Sequence, residues 1–386
     1  MNVDIAVVGA GPVGGSFARA LASSGLSVAL VESGAERPLP SSGFDQRVYA
    51  LNGHSRRFLE RCEIWQRLSR ERIAPVREMR VFGDDASKIE FSAYRSGVPE
   101  LASIVEEANL QQALYSALAT QSDLSFLTGV GCTGVRWNDA LATLSLSDGR
   151  QIEARLVVAA DGAESALRAA AGITTQVRHY AQTGVVANFQ AGRAHRDVAY
   201  QWFLNPGVLA LLPLPGNHIS MVWSAPDAHA KALLSSGAEE LAAIVEKASS
   251  GTLGRLQPIS AALGFPLRRM RARRLVGPRL ALIGDTAHNV HPLAGQGLNL
   301  GFGDAQALAA VLAERGLERD SGAVSLLRRF ERSRREDLLA MEAATDGLQL
   351  LFDSSLPSVK RLRNAGLRLV NRFSPIKRLL VKRALG

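Results

Sequence analysis

The residues best suited to chemistry open the chain. Gly9-Ala10-Gly11-Pro12-Val13-Gly14 has the G-x-G-x-x-G spacing, and Glu32 stands 23 positions after Gly9. In such a loop Gly9 permits a tight turn, Gly11 lets a pyrophosphate reach backbone N–H groups, and Gly14 lets a helix pack closely on a strand. Pro12 and Val13 complete the loop, and the helix that follows turns the positive end of its dipole toward the phosphates. Glu32 can accept hydrogen bonds from both ribose hydroxyls and would repel a 2′-phosphate. The loop predicts a dinucleotide but leaves flavin and nicotinamide forms unresolved. The same spacing recurs at Gly129-x-Gly131-x-x-Gly134. There it leads into Val135-Arg136-Trp137 and short alternating strands rather than a helix, so these read as turn glycines.

Two later segments add to the first. Ala160-Asp161-Gly162-Ala163-Glu164-Ser165 ends an apolar run and opens a helix, with Arg168 just beyond, which favours a loop facing the cofactor. The third segment runs for 16 residues from Gly284 to Asn299. A buried strand would deliver Gly284 and Asp285 beside a ribitol chain, where a carboxylate can accept a hydroxyl proton. Pro292 to Asn299, including Gly295, Gln296, Gly297 and Leu298, form a glycine-rich turn into a helix. Its N–H groups and dipole suit the negative charge on the N1/O2 edge of a reduced flavin. His288 and His291 lie three apart, but no carboxylate–histidine pair with ligand spacing accompanies them, so no metal is expected. With Pro292 they are the candidates for lining the reaction pocket, and either histidine is a candidate general base.

These residues need a scaffold. Residues 3–8 are apolar and β-branched, as in a buried strand; a helix follows to about residue 24, where Gly25 stops it, and a second strand covers 26–31. This βαβ opening predicts a parallel sheet. From about residue 124 to 161 short strands alternate, with a hairpin turn at Ser147-Asp148-Gly149-Arg150 and a buried strand over 155–160. Residues 180–275 read mostly as strand, with Trp202, Phe203 and Trp223 as core and one helix at about 238–249. A strand over 279–283, a helix over 304–315 and a largely helical remainder from Ala323, broken at Ser374-Pro375, complete the chain.

Composition narrows the class. The chain has 386 residues, 47% hydrophobic and 21% charged, an ordinary globular profile with ample core. Two cysteines, Cys62 and Cys132, exclude a disulfide framework and fit a reducing cytoplasm. Asp4 already lies in the first expected strand, leaving no room for a leader peptide. The net charge of +9 is concentrated: nine of the 45 basic residues lie in 354–386, which has no Asp or Glu, leaving 36 against 36 acidic residues elsewhere. A nucleic-acid role is therefore not expected. The basic tail, with Val359, Leu362, Leu369, Val370 and Phe373 near one helical face, is expected to meet an anionic membrane surface or an acidic partner.

The three motifs, in this order and spacing, resemble the flavin-dependent aromatic hydroxylases of the p-hydroxybenzoate hydroxylase type. The resemblance is to the ubiquinone-biosynthesis ring-hydroxylase family in particular, through the run from His291 to Gly301, Asp45-Gln46-Arg47, Ala50-Leu51, Trp65, the run from Leu209 to Leu214 and that from Leu362 to Leu367. It covers essentially the whole chain. It implies an α/β flavoprotein: a discontinuous Rossmann-like FAD-binding domain (1–75, 98–175 and 276–330), a β-rich substrate domain (76–97 and 176–275) and a helical basic C-terminal region (331–386). It also implies that Arg47 contacts FAD near its ribityl and pyrophosphate portion, that Asp161 and Gly162 line FAD, and that Asp285 holds the ribitol. Glu107 departs from the family's usual Asn, Arg or Gln, and Gly303-Asp304 from a more usual Arg-Asp.

The implied reaction is hydroxylation of a polyprenylated phenol in ubiquinone biosynthesis. NAD(P)H, which has no domain of its own here, would reduce FAD, and O₂ would add to give a C4a-hydroperoxide that oxygenates an electron-rich ring with little side-chain help. The implied location is the cytoplasm, peripheral to the inner face of the membrane. The alternatives are a lipid-acting flavin reductase or oxidase, and a non-catalytic FAD-binding subunit of a biosynthetic complex. A flavin halogenase would want Trp-x-Trp-x-Ile-Pro, which is absent.

Overall fold

An apolar run long enough to be buried on both faces belongs in the middle of a parallel sheet, and Asn2–Val8 lies there. Gln151–Ala159 flanks it on one side and Val28–Glu32 on the other, with Leu280–Leu282 and Leu124–Thr128 beyond them, all parallel. In the computed structural model the described residues are 1–34, 39–40, 43–83, 87–204, 207–289, 296–316 and 319–353. His291, Pro292, Gly295 and the basic segment 354–386 lie outside them.

Pro12–Ala20 starts with proline in its first turn and packs against Glu107–Ala119 and Gly297–Ala313. It ends before residue 24 because Ser23 takes φ +61° while its N–H goes to Asp123 Oδ2 at 3.1 Å. The expected hairpin turns at Gly149, φ +86°, between Ala142–Leu146 and Gln151–Ala159.

A second, mostly antiparallel sheet covers the carboxyl edge of the first. Its long strands run Leu263–Ala272, Thr175–Ala191, His218–Pro226, Gly207–Leu214 and Val198–Leu204, followed by Glu78–Phe82 and Lys88–Ser92. Val185, Phe189, Trp202, Leu209, Met221 and Trp223 are buried on its outer face, under Ala238–Ala248 and the unanticipated helix Asp227–Ser235. Between the two large sheets sits a small antiparallel one, Val48–Leu51, Ala102–Glu106 and Ile73–Val76, which local patterning also missed.

One helix differs from expectation in where it starts. Gly297–Ala313 begins seven residues before 304, because its glycines serve close packing rather than a turn: a Cβ at Gly301 would lie 2.5 Å from Val13 Cγ2. Val324–Asp353, one continuous helix of 30 residues, is the start of the helical remainder expected from Ala323, and it runs through position 331.

Candidate functional site

Ligands of parallel α/β sheets bind where strands end at their carboxyl edge. Three adjacent strands here end in the three motifs: Asn2–Val8 in the Gly9 loop, Gln151–Ala159 in Asp161-Gly162, and Leu280–Leu282 in the turn Gly284–Thr286. The last two are tied together. Thr286 Oγ1 accepts from the Gly162 N–H at 3.0 Å and donates to Asp161 Oδ1 at 3.3 Å. Arg168, buried, donates to the carbonyls of Thr286 (2.9 Å) and Ala163 (2.8 Å). The other carboxylate oxygen of Asp161 accepts from Leu167 N–H at 3.3 Å, starting the next helix.

The opening glycines divide by role. Gly9 has φ +102°, and a Cβ there would collide with the Ala160 carbonyl; one at Gly14 would collide with the carbonyl of Gly9. A Cβ at Gly11 meets nothing within 4 Å. Two glycines therefore serve the protein's own packing, while Gly11 faces open space. Val13 packs its side chain against Gly284 and Gly301, joining the first motif to the third.

The open space continues as a cleft of about 540 Å³ bounded by Gly11, Glu32, Ser33, Asp161 and Glu164. Glu32 accepts from Ala10 N–H through one oxygen and from Gly34 N–H through the other, both at 2.7 Å. Each oxygen keeps a lone pair for a hydroxyl. Gly131, Cys132 and Gly134 form part of the same wall. The second glycine pattern does open a strand, Cys132–Trp137, and not a helix. Its placement beside Glu32, through Val130 N–H to the Glu32 carbonyl at 3.0 Å, gave no local signal.

At the other end stand Arg47, Tyr49, Glu107 and Asp285. Arg47 Nη1 pairs with Glu107 at 3.1 Å, and its guanidinium lies 5.0 Å over the Phe265 ring of the second sheet. Burial works against the Arg47 charge, but Glu107 and Tyr49 outweigh it and raise its pKa. Tyr49 is held protonated by burial, reinforced by Glu107 and Asp285. Asp285 is accessible yet crowded by protein, which raises its carboxyl pKa against the pull of His288 and Arg47. Asp45 fixes this corner: it accepts from Arg47 N–H (3.0 Å) and from Ala108 N–H (3.1 Å) at the start of Glu107–Ala119. Asn188 of the second sheet donates to the carbonyls of Phe44 and Asp45.

The face of the second sheet that carries Asn188 looks onto these loops. It presents Val186, Val222, Val208, Ala210 and Leu212, all partly exposed although they sit on central strands whose opposite face is fully buried. Partial exposure in mid-sheet means that this face is not closed off by packing as the opposite one is. Its side chains beside Asn188 are small and aliphatic, Val186, Val222, Val208 and Ala210.

Two expected site residues are used differently. His288 is 2% exposed, and its Nε2 lies 2.6 Å from buried Asp304, so it is not a pocket-lining base; that expectation is corrected. Asn299 accepts from Asn52 N–H (3.0 Å) and Ser55 Oγ (2.7 Å) and donates to the Ala50 carbonyl (2.9 Å), so its amide braces Val48–Leu51 against the helix Gly297–Ala313. Gly297 and Leu298 form the first turn of that helix, preceded by Gln296. Roles missed from sequence include Tyr49, Asp45 as a cap, and the cleft wall from Val130 to Val135, whose glycines read only as turn residues.

The residues fit FAD: Gly11 leaves room for a diphosphate, Glu32 retains acceptor capacity, and Asp285 accepts no hydrogen bond from another described residue. Residues 2–345 match the family model described as FAD binding domain. The chain is 35% identical to the ubiquinone hydroxylase UbiL of Rhodospirillum rubrum over 384 residues, 99% of this chain and 89% of that protein. It is 34% identical to the 3-demethoxyubiquinol 3-hydroxylase of Escherichia coli K12 over 385 residues, 99% and 98% of the two chains. Its fold matches PqsL of P. aeruginosa, solved with 2-aminobenzoylacetate, at a TM-score of 0.79 and 22% identity, covering 95% of this chain and 100% of that one. The chain thus belongs to the ubiquinone-biosynthesis family of FAD-dependent hydroxylases and is an aromatic-ring monooxygenase that uses FAD, NAD(P)H and O₂.

Proposed function

We propose that this protein hydroxylates the aromatic ring of a polyprenylated phenol on the ubiquinone pathway. The observation that carries the reading is the small-residue face of the second sheet, Val186, Val222 and Ala210, partly exposed on the side where Asn188 holds the Phe44–Asp45 segment. It leaves room for a ring with an apolar chain, and two relatives named for ubiquinone or ubiquinol hydroxylation match along nearly the full length.

In this assignment Gly11, Pro12 and Glu32 hold the adenosine diphosphate half, and Asp161 and Gly162 line its path. Arg47 answers the diphosphate and ribityl portion, Asp285 accepts a ribitol hydroxyl, and the helix turn at Gly297 and Leu298 faces the flavin ring. Bound FAD supplies the oxygen-activating chemistry. The protein orients the substrate ring and keeps water from it. Residues 1–75, 98–175 and 276–330 form the FAD-binding part, and 76–97 with 176–275 the substrate cover. The basic segment 354–386 holds the protein on the cytoplasmic face of a membrane, where a prenylated substrate resides. No described helix is long and apolar enough to cross one.

The test is NAD(P)H oxidation and oxygen uptake, with and without catalase, alongside product mass. A prenylated phenol should accelerate oxidation and gain one oxygen atom. Substrate-independent H₂O₂ with no oxygenated phenol would instead favour a lipid-acting oxidase.

A further inference from the structure

The turn that presents Asp285 is clamped from behind by one carboxylate. Asp304, fully buried on the helix Gly297–Ala313, receives on Oδ2 the N–H of Gly284 at 3.0 Å and the imidazole Nε2 of His288 at 2.6 Å. These donors stand at the two ends of the turn, with Asp285 between them. The opposite oxygen, Oδ1, is held by Arg334 Nε at 2.8 Å. Arg334 also donates to the Leu300 carbonyl at 3.2 Å and pairs with Asp337 at 2.5 Å.

Arg334 comes from Val324–Asp353, within the buried stripe of Leu327, Phe330 and Leu338. A charge in an apolar stripe is costly unless it is paired and hydrogen-bonded. It fits only because Gly303 has no side chain: a Cβ there would lie 2.7 Å from Arg334 Nη2 and 3.0 Å from its guanidinium carbon. The glycine and the arginine, 31 positions apart in sequence, make one packing unit.

We infer that Arg334 is a positioning residue of the cofactor site, which orients Asp304 and thereby the turn that presents Asp285. The inference rests on the assignment of Asp285 as an FAD contact. It makes the C-terminal helix, which contributes no described residue to the cleft, part of the machinery that sets flavin affinity.

The experiment titrates deflavinated full-length protein with FAD, by quenching of flavin fluorescence, well below the melting temperature of each apo form. Arg334→Met should weaken FAD by roughly tenfold or more, the scale of one charge-assisted hydrogen bond. Arg334→Lys, which keeps the charge without the fork, should recover part of the loss. Gly303→Ala should weaken FAD in the parent protein and have no effect in the Arg334→Met background, the non-additivity expected of a shared contact. At saturating FAD, the visible circular dichroism of the flavin should change in Arg334→Met, which a loss of global stability alone would not produce. Parent affinity and an unchanged flavin spectrum in Arg334→Met overturn the positioning role. If Arg334→Met does not fold, additive effects of Gly303→Ala and Arg334→Lys do so. Parent affinity in Asp285→Ala overturns the underlying assignment of the turn, and the inference with it.

Discussion

Gly11 separates two roles that its motif runs together. Gly9 and Gly14 are required by the protein's own backbone, whereas the space beyond Gly11 is empty of protein. Gly11→Val should therefore fold with an apo melting temperature near that of the parent and yet be purified without yellow colour, its side chain occupying the diphosphate position. Stoichiometric FAD in this variant would show that the diphosphate lies elsewhere. The same change at Gly9 or Gly14 would be uninformative, since it damages the fold directly. The Arg47–Glu107 pair also belongs to this scale. Glu107 departs from the family's usual residue, and it neutralises the cation expected to meet the diphosphate.

At the scale of elements, the helix Glu107–Ala119 has no cap from its own Glu106, and Asp45 serves instead across 63 positions of sequence. Glu106 meanwhile is buried against Arg72, with both guanidinium bonds at 2.7 Å, and receives Asp45 N–H. One segment thus closes the helix start and aims Arg47. Asp45→Ala should cost about 1 kcal/mol of apo stability, the value of a lost helix cap. It should also weaken FAD binding more than an equally destabilising core change remote from the site. Thermal melting of the apo protein with FAD titration at low temperature measures both. A matched loss in the two variants would reduce Asp45 to a plain cap.

For the whole molecule, the basic segment 354–386 bears on where the chain works. Each basic residue near an anionic surface contributes about 1 kcal/mol, so even half of the nine would hold the protein there at low salt. Full-length protein should float with anionic liposomes, release as salt rises, and ignore neutral ones. Residues 1–353, still carrying FAD, should not float. Equal flotation on both lipids, or none lost on truncation, removes the membrane role and leaves an acidic partner as the target of the tail.

What the sequence determined by itself is the chemistry that short spacings encode: a glycine loop on a strand with Glu32 beyond it, an Asp-Gly turn, and the Asp285 segment. Those patterns are local because a strand end, a turn and a helix start are fixed by a dozen residues, and they suffice for a parallel α/β sheet and a flavin dinucleotide. The tertiary structure decided which residues face the ligand and which face the protein. His288 and Asn299 sit inside a long cofactor pattern, yet their side chains are consumed by Asp304 and by the Val48–Leu51 strand. Gly131 and Gly134 have a turn's pattern but wall the cleft, and Gly303 has meaning only against Arg334. In each case the deciding contact spans from 16 to about 250 residues, and no local preference for helix, strand or turn reports on a partner that distant.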